Sequence, residues 1–141
     1  PELSRTIAAI LGLVLGANAL AMLAAPLWWY GAVPGVTTTG PFNEHFIHDI
    51  GMTYLVVAGG LGWFAWRSVQ GWPALVSGAA FLVLHGLIHV HDAIASPTCG
   101  QDLVRDLPGV FAPAVIAAWI AVASAPGLST RNPSTSRPRR T

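Results

Sequence analysis

Two short stretches hold all five histidines of this 141-residue chain. One reads Glu44-His45-Phe46-Ile47-His48-Asp49, and the other His85-Gly86-Leu87-Ile88-His89-Val90-His91-Asp92. On an α-helix, residues three, four and seven apart share a face. His45, His48 and Asp49 therefore form one polar strip, and His85, His89 and Asp92 another. Imidazole and carboxylate are ligands for zinc, copper and iron, and a carboxylate can instead hold the second ring nitrogen of a ligating histidine. The expected chemistry is a metal site drawn from His45, His48, Asp49, His85, His89 and Asp92. His91 points elsewhere and Glu44 opens a helix; both are read as interfacial residues.

The setting of these residues is apolar. Hydrophobic residues make up 53% of the chain and charged residues 9%, with mean hydropathy +0.57. A soluble domain carries roughly 25% charged residues, so too few are present here to coat a water-facing surface. A net charge of +1 is too small for a surface that tracks phosphates, which argues against a nucleic-acid partner. The single cysteine, Cys99, cannot form an intrachain disulfide. An integral membrane protein is the class that remains, with the lipid bilayer as its first partner.

About 20 mostly apolar residues are needed to cross the hydrocarbon of a bilayer. Four segments meet this requirement, at about 4–25, 43–66, 72–92 and 108–125. The expected fold is an all-α, antiparallel four-transmembrane-helix bundle over residues 1–128, followed by a basic, disordered tail over 129–141. The first segment is read as a retained helix, because its apolar run is longer than a usual signal core. Proline and glycine mark the expected connections: Pro26, Pro34, Gly40 and Pro41 in the first, Gly71-Trp72-Pro73 in the second, Ser96-Pro97 at the start of the third. Pro113 is expected to kink the last helix.

Arginine placement sets the expected orientation. Arg5, Arg67 and the tail arginines 131, 137, 139 and 140 fall on one side of such a bundle, and Arg105 alone on the other, with Glu44, Asp49, Asp92, Asp102 and Asp106 at or near it. The excess of positive charge marks the cytoplasmic side, so both termini are expected in the cytoplasm of a bacterial inner membrane. Trp28, Trp29 and Tyr30 would then form the outer aromatic belt and Trp63, Trp66 and Trp72 the inner one. Ala8, Gly12 and Gly16 on the first helix, with Gly51 and Gly59 on the second, are read as close-packing positions within one subunit.

This topology places both histidine strips level with one another, in the outer half of the membrane. Neighbouring helices pack about 8–10 Å apart, a gap that facing imidazoles and carboxylates can bridge through a metal. An ionisable group in hydrocarbon costs roughly 2.5–3.5 kcal/mol on insertion scales, so such groups persist when paired, wet or metal-bound. Met52, four residues after His48, and Met22 would bring soft sulfur near the cluster and favour copper, although methionine as filler is the commoner role. The segment from Thr39 to Gly51 is similar to one in small bacterial membrane proteins and implies no chemistry. In ligand type, though not in motif, the clusters are similar to those of membrane copper monooxygenases.

The functional expectation is a metal-binding or relay protein, or an accessory subunit of a larger membrane oxidase or monooxygenase, working with other membrane subunits. Alternatives are a membrane enzyme with a mono- or dinuclear iron or zinc centre and a haem b electron-transfer subunit clamped by His48 and His85. A metal-free polar plug that fixes helix register is the fourth. The sequence has no Cys-x-x-Cys-His, serine-nucleophile or phosphate-loop motif, which turns the reading away from covalent haem and nucleotide chemistry.

Overall fold

The computed structural model describes residues 2–126, and these are helical with no strand among them. In chain order the elements are α1 (Glu2–Ala24), α2 (Pro26–Ala32), a 3-10 turn (Val36–Thr38), α3 (Glu44–Trp66) and α4 (Ser68–Ala95). Then follow α5 (Cys99–Asp106), a π-helical turn (Leu107–Phe111) and α6 (Ala112–Ala123). Three helices are long and apolar enough to cross a membrane: Glu2–Ala24, Ser68–Ala95 and the continuous stretch Gly100–Ala123. Like α1, α3 is 23 residues long. It opens with Glu44, His45, His48 and Asp49 and is not among the three. The expected basic tail, 129–141, lies outside the described residues.

Small residues set the packing. Gly12 and Gly16 of α1 lie against Ala58 of α3, and Gly51 of α3 lies against Met22 and Leu23 near the far end of α1. The two helices are therefore antiparallel. Gly60 and Val57 of α3 meet Ala74 and Gly78 of α4 in the same antiparallel sense, and Gly86 of α4 meets Phe111 and Val110. Close approach at glycine and alanine gains dispersion contacts along whole helix lengths, which is how helices associate where lipid is as apolar as the partner. Between them lies a core of Leu15, Met22, Leu61, Phe64, Leu82 and Ile120, each at most 4% exposed.

Helix ends are tied to neighbouring helices. Arg5 donates from Nε to Ala65 O (2.8 Å) and from Nη2 to Trp66 O (3.3 Å), satisfying carbonyls that the last turn of α3 leaves unbonded. Trp72 does the same at the end of α6, donating from Nε1 to Ala121 O at 2.9 Å. Asn43 caps α3 by accepting from the Phe46 N–H.

Two expected boundaries are corrected. Gly71-Trp72-Pro73 is no connection: α4 begins at Ser68, and Arg67 alone separates it from α3. Pro73, the sixth residue of α4, leaves the carbonyl of Val69 without its intrahelical donor, and the helix runs on through it. Gly71 also lets the hairpin close tightly, for a Cβ there would sit 2.5–2.7 Å from backbone atoms of Phe64 and Trp63. The 95–107 loop is likewise mostly helix, with Ser96, Pro97 and Thr98 separating α4 from α5. The last helix is interrupted before Pro113. Pro108 and Pro113 cannot donate to the carbonyls of Val104 and Gly109, and the Ala112 N–H bonds instead to Leu107 O, five residues back.

Candidate functional site

The site is built on α4. Four-residue spacing stacks Phe81, His85 and His89 along one side of that helix. The rings of Phe81 and His85 are parallel within 13° at 5.8 Å, and the His85 and His89 rings meet edge to face at 4.8 Å. Tyr54 from α3 flanks the stack, with its ring edge-on to both Phe81 (5.7 Å) and His85 (6.1 Å). Only one residue connects α3 and α4, so the hairpin holds Tyr54 level with this stack.

The His89 end is closed by α5. His89 Nδ1 lies 2.7 Å from Asp106 Oδ2, and the Asp106 side chain is 9% exposed. Arg105 donates to both oxygens of that carboxylate, Nε to Oδ1 at 2.8 Å and Nη2 to Oδ2 at 3.2 Å. Its remaining Nη1 donates to Asp102 Oδ1 at 2.8 Å. Thr98 Oγ1 then donates to Asp102 Oδ2 at 2.9 Å, and Thr98 Oγ1 and Ser96 Oγ share a further hydrogen bond of 2.9 Å. Over the guanidinium lies Gly35, in the left-handed conformation at φ 86°, where any Cβ would collide with Arg105.

This arrangement fixes a tautomer. A carboxylate paired with a guanidinium is an acceptor only, so His89 donates its Nδ1–H to Asp106. In the neutral ring, Nε2 is then left as a lone-pair nitrogen. A histidine held by a carboxylate on one nitrogen is the usual form of a metal ligand. Two histidines at i and i+4 on a helix face are also the spacing with which helical metal sites are made.

The six expected ligands do not form one cluster. His85 and His89 are brought together, but Asp106 takes the place expected for Asp92. Asp92 instead meets His91, Oδ1 to Nδ1 at 3.1 Å, and both are exposed. His45 and Asp49 pair with one another at 3.4 Å on an exposed face of α3, their side chains 88% and 64% accessible. His48 is half-buried, with an Nε2 that has no hydrogen-bond partner. The reason is rotational. Ile47, Gly51, Tyr54, Val57 and Leu61 are the buried positions of α3, and turning these inward turns His45 and Asp49 outward. Among the described residues no three His, Cys, Asp or Glu side chains are placed to hold one metal ion. Met52 is exposed with His45 and Asp49, whereas Met22 is buried and accepts from Asn18 Nδ2 through its sulfur at 3.5 Å.

Asp106 and Arg105 are the site residues that the histidine spacing misses. A signal for them exists in Asp102, Arg105 and Asp106, charges at i, i+3 and i+4 directly before an apolar segment. Assigning them to a loop hides that they share a helix face. Comparison with protein-family models, curated proteins and solved structures gives no match.

Proposed function

We propose that the chain is a four-span protein of a bacterial inner membrane, with both termini cytoplasmic, that holds a transition-metal ion on His85 and His89 near the outer face. Copper is the favoured ion. The observation that carries this reading is the 2.7 Å contact between His89 and Asp106, which directs Nδ1 away from an ion and leaves Nε2 for one. Imidazole suits copper, zinc and iron, and the rings of Tyr54 and Phe81 flank His85. Two protein ligands leave coordination positions open to a donor or acceptor. That suits a relay protein or an accessory subunit of a membrane oxidase or monooxygenase better than a closed storage site.

The four-span reading treats α3 as a span with α1, α4 and the α5–α6 stretch, on the strength of its 23-residue length and its antiparallel packing between α1 and α4. The cytoplasmic assignment of the termini rests on the arginine distribution.

The test is elemental analysis and X-ray absorption on full-length protein purified from its native membrane. About one copper per chain with imidazole nitrogen as ligand is expected, lost in the double variant His85→Ala/His89→Ala and kept in His45→Ala/Asp49→Asn. Metal-free wild-type protein, a metal-replete double variant or a haem Soret band would overturn the reading. A second reading has one observation in its favour: Asp106 is fully satisfied by His89 and Arg105 alone, so the network could serve only to fix α5 on α4. Metal-free wild-type protein whose α5 loosens in Asp106→Asn would establish it.

A further inference from the structure

The arginines of the described residues are satisfied unequally. Arg105 is surrounded by acceptors, both oxygens of Asp106 and one of Asp102. At the opposite end of the molecule Arg5 reaches a single carboxylate, that of the exposed Glu2, at 3.2 Å. Arg67, between α3 and α4, has no carboxylate within ion-pair distance among the described residues. Its guanidinium lies instead 4.8 Å over the ring of its neighbour Trp66, a cation–π arrangement. Arg5 donates to the carbonyl of the same tryptophan, so one residue gathers both cations. Trp66 is itself 72% exposed, and exposed Trp63 and Val69 flank it. The Trp72 bond to Ala121 brings the last turn of α6 to this same end. The sequence that follows α6 carries Arg131, Arg137, Arg139 and Arg140 and no acid. The acids other than Glu2 belong to the opposite end, on the first turns of α3, the last turns of α4 and α5.

We infer that the end of the bundle built on Arg5, Trp66 and Arg67 binds the phosphodiester headgroups of anionic phospholipids in the adjoining leaflet. The occupant follows from charge complementarity. Exposed tryptophan settles where acyl chains give way to headgroups, and here the ring carries Arg67 on its face. A guanidinium donates through a planar fork that fits phosphate oxygens, and no carboxylate among the described residues competes for this one. Four or more basic residues directly beside a membrane-crossing helix attract anionic lipid, so the arginines after α6 add to the same pull. A zwitterionic lipid offers the same phosphate but brings an ammonium that the arginines repel. The inference rests on the reading that the chain spans a bilayer. It is independent of the metal, since His85 and His89 lie in the other half of α4.

The test reconstitutes full-length protein in vesicles of equal phosphatidylglycerol and phosphatidylcholine with identical acyl chains. Flotation of the vesicles reports insertion, and native mass spectrometry then counts each lipid retained by the protein. Phosphatidylglycerol is expected to be retained in preference. Arg67→Gln should lower that preference about fivefold, the effect of one basic residue near an anionic surface. Arg131→Gln, Arg137→Gln, Arg139→Gln and Arg140→Gln together should lower it further. Glu2→Gln should raise it, because Arg5 then loses its one carboxylate, and a gain of this kind cannot come from misfolding. Equal retention of the two lipids by protein that floats, or a preference unmoved by both Arg67→Gln and Glu2→Gln, would overturn this inference alone. Displacement of the lipid by inorganic phosphate at equal concentration would make a soluble ion the ligand and overturn it as well. Protein that stays out of the floating fraction would overturn the membrane reading, and this inference with it.

Discussion

His89 and Asp106 are 17 residues apart in the chain and 2.7 Å apart in space, joining the C-terminal parts of α4 and α5 through an imidazole and a carboxylate. Arg105 holds the same carboxylate from its other side. The three side chains thus form a short, water-poor polar array in an otherwise apolar molecule.

Replacing Asp106 by Asn retains the shape and removes the charge. Arg105 then keeps one charged partner, Asp102, and a single amide oxygen is left to accept from both Arg105 and His89. The carboxylate is buried but Arg105 and His89 are each about a quarter exposed, so the cost is about 1–3 kcal/mol. Hydrogen exchange over residues 100–111 should accelerate while that of α1 stays unchanged. Nitrogen NMR of the His89 ring should shift from a single Nδ1–H tautomer to a mixture.

Gly35 tests the connection that lies over the guanidinium. Alanine there meets two penalties, the left-handed φ of 86° and collision with Arg105. The backbone penalty alone is about 1–2 kcal/mol. Gly35→Ala is expected to destabilise the fold by at least that amount in denaturant titration. Combining it with Arg105→Ala should recover the steric part and leave the backbone part.

At Gly71 the neighbours are backbone atoms of Phe64 and Trp63, which cannot swing aside as a flexible side chain can. Gly71→Ala should therefore force α3 and α4 apart at their tight end, at a cost of about 1–3 kcal/mol. Thermal unfolding in detergent reports the loss. Gly59→Ala is the control, with open space in front of it, and leaves the unfolding temperature unchanged or slightly raised.

Trp72→Phe keeps a ring in place and removes the N–H that bonds Ala121 O. The loss of one such bond is about 1 kcal/mol. It should appear as faster amide exchange confined to the last turn of α6, with the exchange of α3 unaffected.

Much of this organisation is legible in the residues themselves. Apolar runs predict four spans, of which three coincide with helices long and apolar enough to cross a membrane, and the histidine spacing groups His85 with His89 on one side of α4. Rotation about a helix axis is harder to read. His45, His48 and Asp49 form a conspicuous polar strip, but the less conspicuous Ile47, Gly51, Tyr54 and Val57 decide which way α3 turns, because they fit against α1 and α4. Local signals also fail where two of them conflict. Pro73 reads as a break yet lies inside α4 as its sixth residue, where the helix continues without the one intrahelical bond its N–H would make. Asp106 is invisible as a partner of His89 until α5 is recognised as helix.

The π-helical turn at Leu107–Phe111 leaves the two parts of the last helix out of phase by one residue, about 100° of rotation. Upstream, that phase aims Asp106 at His89; downstream, it turns Ala114, Ala117 and Ile120 into the core. Shortening the chain by a single residue here would turn α5 by about 100° relative to α6 and carry Asp106 off His89, even though no side chain of either had been altered.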